Sequence, residues 1–343
     1  MAYLNFDQWF ARVTGYPPHP WQCTLASSDE CIDRFIRIST GLGKTAGTVL
    51  PWAYHRVYKA QRSWPARLVF CLPMRVLVEQ TERAIQQWLG RAELDIPVVT
   101  LLGGRRESKW LNAPENPAVI VGTQDMLLSR AMMRGYGSAR GLWPMEMGLL
   151  HRDALWVVDE VQLMDVGLAT TAQLHAFRGD DDEHHERILR KTVTWWMSAT
   201  LQPTWLDTID FARRARKVPI STIRVEAPDR VGNVWAVQKT LERRADVTTP
   251  EEVAKLANDL HRPGTLTLVI VNTVRHAKKV AAALEKAKAK AEVRLIHSRF
   301  RGAEKKKWDF LTRDSKIPSQ GRILVDRQDM SLSCRSKRGV VVT

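Results

Sequence analysis

The chain has 343 residues, enough for two domains with substantial hydrophobic cores. Its 52 lysines and arginines exceed its 37 aspartates and glutamates, and the resulting formal net charge of +15 favours a polyanionic partner. Four cysteines without paired spacing, and the lack of a long apolar run or signal peptide, argue against a disulfide scaffold, a cysteine metal site or a membrane protein. We expect a cytoplasmic protein that does not contact a membrane.

The first informative element is a loop between a predicted strand and a predicted helix. Residues 34–38 form a short apolar strand, residues 39–45 read S-T-G-L-G-K-T, and residues 46–57 form a helix. Gly41 and Gly43 let backbone N–H groups approach anionic oxygens, and the helix N-terminus adds positive charge. This context predicts a phosphate-binding loop, with an ordinary glycine turn as the alternative.

The polar side chains of that loop predict an ATP and Mg²⁺ site. Lys44 would reach the β- and γ-phosphates, and the hydroxyl of Thr45 would bind Mg²⁺. Thr40 belongs to the same nucleotide-binding set. Ile38 stands where the general pattern has its first glycine, a departure that loops of the form T-G-x-G-K-T tolerate.

An acidic pair follows a strand whose residues are all apolar, at 155–158. We predict that Asp159 binds Mg²⁺ and that Glu160 orients and deprotonates the attacking water. Gln162 is assigned to the nucleotide-binding set. The alternative is a solvated acidic strand end, but Lys44 upstream favours the catalytic interpretation.

Three further strand ends carry candidates for nucleic-acid binding. Arg75 opens a helix after the strand at 67–72, Gly104 lies in a glycine turn, and Thr123 and Gln124 follow the apolar run 119–121. Such groups at the carboxyl edge of a parallel sheet suit backbone phosphates, although a surface turn is an equally good interpretation of each.

Farther along, Ser198 and Thr200 follow the β-rich run 193–197, and their hydroxyls would couple the nucleotide site to the strand site or simply cap the strand. Residues 180–186 form a charged run that we interpret as a solvated loop. Residues 203–228 are predicted to form a helix followed by a basic connector. Beyond them we predict strands at 265–271 and 293–297 and a lysine-rich helix at 274–290.

Together these segments resemble the superfamily 2 helicases. The spacing of Pro73, Arg75, Leu77 and Gln80 is similar to the second motif of that superfamily, and residues 20–22 resemble its glutamine motif. The resemblance implies that Gln22 hydrogen-bonds the adenine of ATP.

Three longer segments, at 71–81, 122–130 and 295–300, resemble the CRISPR-associated helicase–nuclease of type I systems, closest to the I-U (I-G) branch. The resemblance implies ATP-dependent 3′-to-5′ movement on single-stranded DNA after recruitment by the CRISPR surveillance complex. It also places Ser298 and Arg299 among the nucleic-acid contacts.

The fold class that follows is α/β: a RecA-like P-loop NTPase with a parallel sheet and helices on both faces. We predict a first RecA-like domain at residues 1–228 and an incomplete second one at 229–343. The strand at 322–325 is followed by a segment that matches the family motif only at Gln328, and neither an arginine motif nor a His-Asp dipeptide of the nuclease is present. A truncated or frame-disrupted gene, or a degenerate paralogue, would explain this.

These departures lead us to expect feeble ATP hydrolysis and no unwinding by this chain alone, because arginine fingers contribute strongly to phosphoryl transfer. The residues from Asp326 onward lack the periodicity needed to complete a sheet, so we expect partial disorder there. The favoured function is an ATP-dependent DNA helicase or translocase. The alternatives are a nucleotide- and DNA-binding subunit without motor activity, and a P-loop ATPase indifferent to nucleic acid.

Overall fold

The computed structural model describes residues 3–103, 109–184, 190–230, 235, 240–297, 299–300, 304, 316–327 and 339–342. The chain forms two compact units, residues 1–237 and 238–343. Within the described ranges, no helix has the length and apolar character needed to cross a bilayer.

The first unit is built on a sheet of seven strands, all paired in parallel. In chain order the strands are β1 (Arg34–Arg37), β2 (Arg67–Leu72), β3 (Val98–Leu101), β4 (Ala118–Thr123), β5 (Ala154–Asp159), β6 (Val193–Ser198) and β7 (Ser221–Arg224). Their order across the sheet is β3-β4-β2-β5-β6-β1-β7.

In the described part of this unit, α-helices cover both faces of the sheet. They are α1 (Phe6–Thr14), α2 (Pro20–Ala26), α3 (Lys44–Trp52), α4 (Arg75–Arg91), α5 (Gln124–Ala131), α6 (Trp143–His151), α7 (Val166–His184) and α8 (Ile209–Lys217). The first four pack on one face and the last four on the other. Strand β5 shows the cause: Leu155 and Val157 enter the first core while Trp156 and Val158 enter the second. The predicted parallel α/β sheet with helices on both faces is confirmed.

The strand order places the predicted site residues in two groups along the edge of the sheet where the strands end. Strands β1, β5 and β6 are neighbours, and the phosphate loop, the acidic pair and the Ser198–Thr200 turn follow them. Strands β2, β3 and β4 are also neighbours, and the predicted nucleic-acid residues of this unit follow those. Since carboxyl ends of parallel strands share one edge, both groups lie on the same side of the sheet.

Two predicted elements differ in form. The helix expected at 46–57 is α3 followed by a π-helical turn, Ala53–Tyr58, which begins two residues after the internal proline Pro51. Proline removes a backbone donor and disturbs the α-helical ladder, so the register changes there. The prediction of a basic connector before residue 228 is wrong. This segment contains β7, which pairs with β1 as an outermost strand of the sheet.

The acidic run predicted as a solvated loop is instead, over residues 180–184, the end of α7. Its carboxylates face the basic helix α8: Asp180 is 2.6 Å from Arg213, and Glu183 is 2.8 Å from Arg214 and 3.1 Å from Lys217. The complementary charges of the two helices explain why the run stays helical.

The second unit contains a four-stranded parallel sheet of order β11-β8-β10-β9. Its elements are α9 (Pro250–Leu260), β8 (Leu266–Val271), α10 (Val274–Lys286), β9 (Glu292–Ile296), β10 (Arg322–Arg327) and β11 (Gly339–Val342). The presence of β11 corrects the expectation that nothing beyond Asp326 would join a sheet. Three successive valines favour a strand, even in so short a segment. Residues 328–338 lie outside the described part of the chain.

Candidate nucleotide site and nucleic-acid edge

The phosphate loop has the backbone that its glycines allow. Gly41 and Gly43 adopt left-handed conformations, with φ of 87° and 68°. Gly43 is the N-cap of α3, and a Cβ there would lie 2.9 Å from Nε2 of Gln22. A side chain at position 43 would therefore be strained and crowded, which ties this loop shape to glycine. Thr40 precedes these glycines in the turn.

Gln22 lies behind the loop. Its side chain is 1% exposed, Oε1 accepts from the backbone N–H of His19 at 2.8 Å, and Nε2 donates to the carbonyl of Gly43 at 3.0 Å. Each of these atoms keeps one further hydrogen-bonding position, so the predicted adenine contact stays a prediction. Within the protein, Gln22 fixes the loop to the start of α2.

Lys44 and Glu160 join the loop to the acidic pair. The Nζ atom of Lys44 lies 3.1 Å from Oε1 of Glu160, and the two side chains are 8% and 22% exposed. Glu160 has a left-handed backbone, with φ of 52°, which turns the chain sharply after β5. Removing either partner of so poorly solvated a pair would leave the other charge uncompensated.

Asp159 supplies a carboxylate suited to a cation. Burial raises the pKa of Asp159 to about 7, opposed by Lys44 and by the hydrogen bond from the backbone N–H of Glu160 at 2.7 Å. The adjacent Glu160 carboxylate raises the pKa further. The nearby ammonium of Lys44 is already paired, so a divalent ion would neutralise this desolvated group. The buried carboxylate of Asp159 therefore fits Mg²⁺, and Thr45, the second residue of α3, stays a predicted ligand.

A chain of hydrogen bonds extends from Glu160 to the end of β6. Nε2 of Gln162 donates to Oε2 of Glu160 at 2.6 Å, and the hydroxyl of Ser198 donates to Oε1 of Gln162 at 2.6 Å. The backbone N–H of Thr200 donates to Oγ of Ser198 at 3.1 Å. The structure thus connects the ends of three neighbouring strands through side chains that the sequence singled out separately.

The nucleic-acid candidates occupy the other half of the edge. Arg75 opens α4 with its side chain exposed, 3.3 Å from Glu79, and Nη1 donates to the carbonyl of Gly103 at 3.5 Å. Thr123 caps α5, and the next residue, Gln124, lies so close to Gly167 that a Cβ there would be 2.1 Å from Oε1 of Gln124.

The remaining predicted contacts are separate from this edge group. Gly104 and Ser298 lie outside the described residues. Arg299 is exposed in the second unit, after His297, whose ring stacks on Phe300. The first unit therefore brings together the nucleotide set and, next to it, Arg75, Thr123 and Gln124.

A family model described as "DEAD/DEAH box helicase" matches residues 22–209, more than half of the chain. The matched range contains the phosphate loop, the acidic pair and the Ser198–Thr200 turn. This chain belongs to the DEAD/DEAH box helicases. By family it is a helicase-type ATP hydrolase with a nucleotide-binding domain. No curated protein matches it.

Solved structures share the fold of this helicase at low sequence identity. MrfA, a DUF1998 helicase bound to DNA and AMPPNP, matches at 14% identity and a TM-score of 0.62, over 95% of this chain and 44% of its own. A single-residue variant of Dbp5 from S. cerevisiae, bound to RNA and ADP BeF3, matches at 17% identity and a TM-score of 0.57. The match covers 95% of this chain and 74% of the Dbp5 chain. Mss116p, bound to ssRNA and AMP-PNP, matches at 15% identity and a TM-score of 0.56. The match covers 94% of this chain and 63% of the Mss116p chain.

The helicase also has a shallow pocket beside its phosphate loop. The residues that line it are His19, Pro20, Trp21, Leu42, Val225, Asp229 and Trp235. Trp235 comes from the segment after β7, and the guanidinium of Arg230 lies 5.4 Å from its ring centre. Sequence reasoning missed Trp235, since a single tryptophan after a basic segment has no motif around it.

We expect Ser198→Ala to leave nucleotide affinity nearly unchanged but to remove most of the stimulation of ATP hydrolysis by DNA. The substitution takes the hydroxyl donor from Gln162 and breaks the side-chain connection between Gln162 and the end of β6. Steady-state ATP hydrolysis with and without DNA measures the effect.

Thr194→Val is the matched control for Ser198→Ala. It removes a buried hydroxyl from the same strand, and Oγ1 of Thr194 has no hydrogen-bond partner in the described part of the chain. Full stimulation in Ser198→Ala would contradict the coupling role.

Proposed function

We propose that this helicase is an ATP-dependent motor that moves along single-stranded DNA. The observation that carries the proposal is the continuous set of contacts from Lys44 through Glu160 and Gln162 to Ser198. It gives the ends of β1, β5 and β6 a shared polar network next to strand ends that present Arg75 and Thr123. Such a network is one way in which hydrolysis could affect the neighbouring strand ends that we propose to hold DNA.

Each residue of the nucleotide half has a task in the proposed reaction. Lys44 and the loop N–H groups hold the β- and γ-phosphates, and Thr45 and Asp159 hold Mg²⁺. When bound, Mg²⁺ neutralises charge that develops on the phosphate oxygens. Glu160 orients the attacking water and accepts its proton. Gln162 fixes the Glu160 carboxylate from its other oxygen.

The choice of DNA rests on sequence resemblance. The neighbours in structure include a protein bound to DNA and others bound to RNA, so the shared fold does not decide between them. The segments at 71–81, 122–130 and 295–300 resemble the type I CRISPR-associated helicase–nuclease, which supports single-stranded DNA as the track and the surveillance complex as the recruiting partner. We place the protein in antiviral defence on that basis.

ATP hydrolysis by the purified chain, measured alone and with oligo(dT) or oligo(U), tests the proposal. We expect hydrolysis that depends on Mg²⁺ and rises more with oligo(dT) than with oligo(U). Equal hydrolysis with and without nucleic acid would favour an ATPase that does not act on a strand. Binding of both ATP and DNA without turnover would favour a subunit without motor activity.

Arg75→Ala is expected to weaken binding to single-stranded DNA of any sequence and to reduce the slope of log affinity against log salt by about one unit. The reason is the loss of one backbone phosphate contact at the exposed N-terminus of α4. Fluorescence anisotropy with labelled oligonucleotides over a salt series measures both quantities.

Arg12→Ala serves as the control, because Arg12 is also exposed and paired with a glutamate, Glu93 at 3.1 Å. An unchanged salt slope in Arg75→Ala would remove Arg75 from the proposed track.

A further inference from the structure

The connection between α5 and α6, together with the first turn of α6, exposes an unusual set of side chains. Tyr136 is 69% exposed, and Met132, Met133 and Met145 are 46%, 45% and 46% exposed. Two arginines, Arg134 and Arg140, are exposed among them. We call residues 132–145 the α5–α6 platform. It combines a free aromatic ring, flexible apolar side chains and cations within a single segment.

The platform carries positive charge alone. Residues 132–145 contain no aspartate or glutamate. The next acid, Glu146, is buried and lies 3.1 Å from the buried Arg130. Two exposed arginines with no carboxylate in the segment favour a polyanion over a protein surface of mixed charge.

The platform is also held in a defined shape. The Arg130–Glu146 pair ties α5 to α6 beneath it. A Cβ on Gly135 would lie 2.6 Å from the Trp143 ring, so the backbone approaches that ring as only glycine allows. The backbone N–H of Arg134 donates to the carbonyl of Ser129 at 2.7 Å. Because the backbone of the platform is already fixed, the platform loses little conformational entropy when it binds a partner.

The platform turns back toward the nucleic-acid edge of the sheet. The backbone N–H of Tyr136 lies 3.4 Å from Oγ of Ser129, and a Cβ on Gly137 would lie 4.0 Å from the methyl of Met126. Met126 is the third residue of α5, which begins at Gln124 directly after Thr123. Tyr136 is therefore beside the first turns of the helix that starts at the predicted strand-binding edge.

We propose that the α5–α6 platform is a second contact for single-stranded DNA, continuous with the edge at Thr123 and Gln124. A base stacks on the ring of Tyr136, and neighbouring phosphates bind Arg134 and Arg140. The inference rests on the proposed function and extends it, because it gives the strand an anchor away from the nucleotide site.

The test compares variants in the binding of fluorescein-labelled oligo(dT), followed by anisotropy from about 50 to 200 mM salt. We expect Tyr136→Ala to weaken binding roughly 5- to 150-fold and Tyr136→Phe to retain it, because stacking needs the ring and not the hydroxyl. The double variant R134Q/R140Q should reduce the salt slope by roughly two units. Tyr16→Ala is the control, since Tyr16 is 75% exposed and lies outside the platform.

A second measurement reports contact directly. Photo-crosslinking of the unaltered chain to oligo(dT) containing 5-iodouracil should give a nucleotide adduct on Tyr136, located by mass spectrometry. If Arg75→Ala weakens binding while both platform variants bind as tightly as the unaltered chain, the platform proposal is overturned and the proposed function stands. If the unaltered chain does not bind oligo(dT) at all, both are overturned.

Discussion

Lys44→Ala is expected to weaken the binding of ATP by about 30-fold or more, the loss typical of truncating one partner of a buried, hydrogen-bonded charge pair. Lys44 is the loop's only lysine, and the Nζ atom that would meet the β- and γ-phosphates is held in a poorly solvated position beside Glu160. No solvent-exposed cation can replace a charge fixed in that place. Hydrolysis should fall with binding.

Equilibrium titration with a fluorescent ATP analogue in the presence of Mg²⁺ measures the effect. Lys217→Ala removes the same charge from an exposed pair with Glu183 and should leave affinity unchanged. Thermal unfolding of both variants shows whether the carboxylates left behind by Lys44→Ala destabilise the fold. An affinity within a factor of two of the unaltered protein would contradict the assignment of Lys44 to the phosphates.

Glu160→Gln should separate binding from chemistry. We expect nucleotide affinity to be kept and hydrolysis to fall by about 10²–10⁴-fold, the usual contribution of a general base. An amide is nearly the same shape as the carboxylate but accepts no proton from water. It also frees Lys44 from an ion pair, which favours the contact with phosphate.

The same substitution tests the hydrogen-bond network. A carboxylate only accepts, so Gln162 must point Nε2 at Glu160 and Oε1 at Ser198. An amide at position 160 that keeps its oxygen on Lys44 turns its NH2 toward Gln162, and Gln162 must then turn over to offer Oε1 as the acceptor. Single-turnover hydrolysis measures the loss of the chemical step, and binding of an ATP analogue measures the nucleotide affinity. Glu93→Gln is the surface control. A loss of binding as severe as that of Lys44→Ala would show that Glu160 is not the base.

The sequence predicts the elements with strong local signals. The continuous apolar run at 155–158 and the glycines at 41 and 43 identify a buried strand and a phosphate loop, because burial on both faces and left-handed turns each restrict residue types. Strand β7, in contrast, contains one buried residue, Ile223, and lies at the sheet edge. A four-residue segment with so little apolar content cannot be distinguished from a basic connector by its sequence.

Contacts between side chains far apart in the sequence could not be predicted, for a different reason. Gln22 bonds to Gly43, 21 residues away, and the pocket beside the loop takes Trp235 from the far end of the unit. Neither contact has a periodicity or a motif that records it. The acidic residues 180–183 could be counted from the sequence, but their position against α8 depends on how the two helices pack.

The Lys44–Glu160 contact bears on the order of events that we propose for ATP binding. Oε1 of Glu160 accepts from Lys44 and Oε2 accepts from Gln162. We propose that Lys44 turns from Oε1 toward the β- and γ-phosphates when ATP binds, which would leave Oε1 to accept a hydrogen bond from the attacking water. A nucleotide without those phosphates offers Lys44 no such exchange, so we expect a monophosphate to leave the Lys44–Glu160 pair intact.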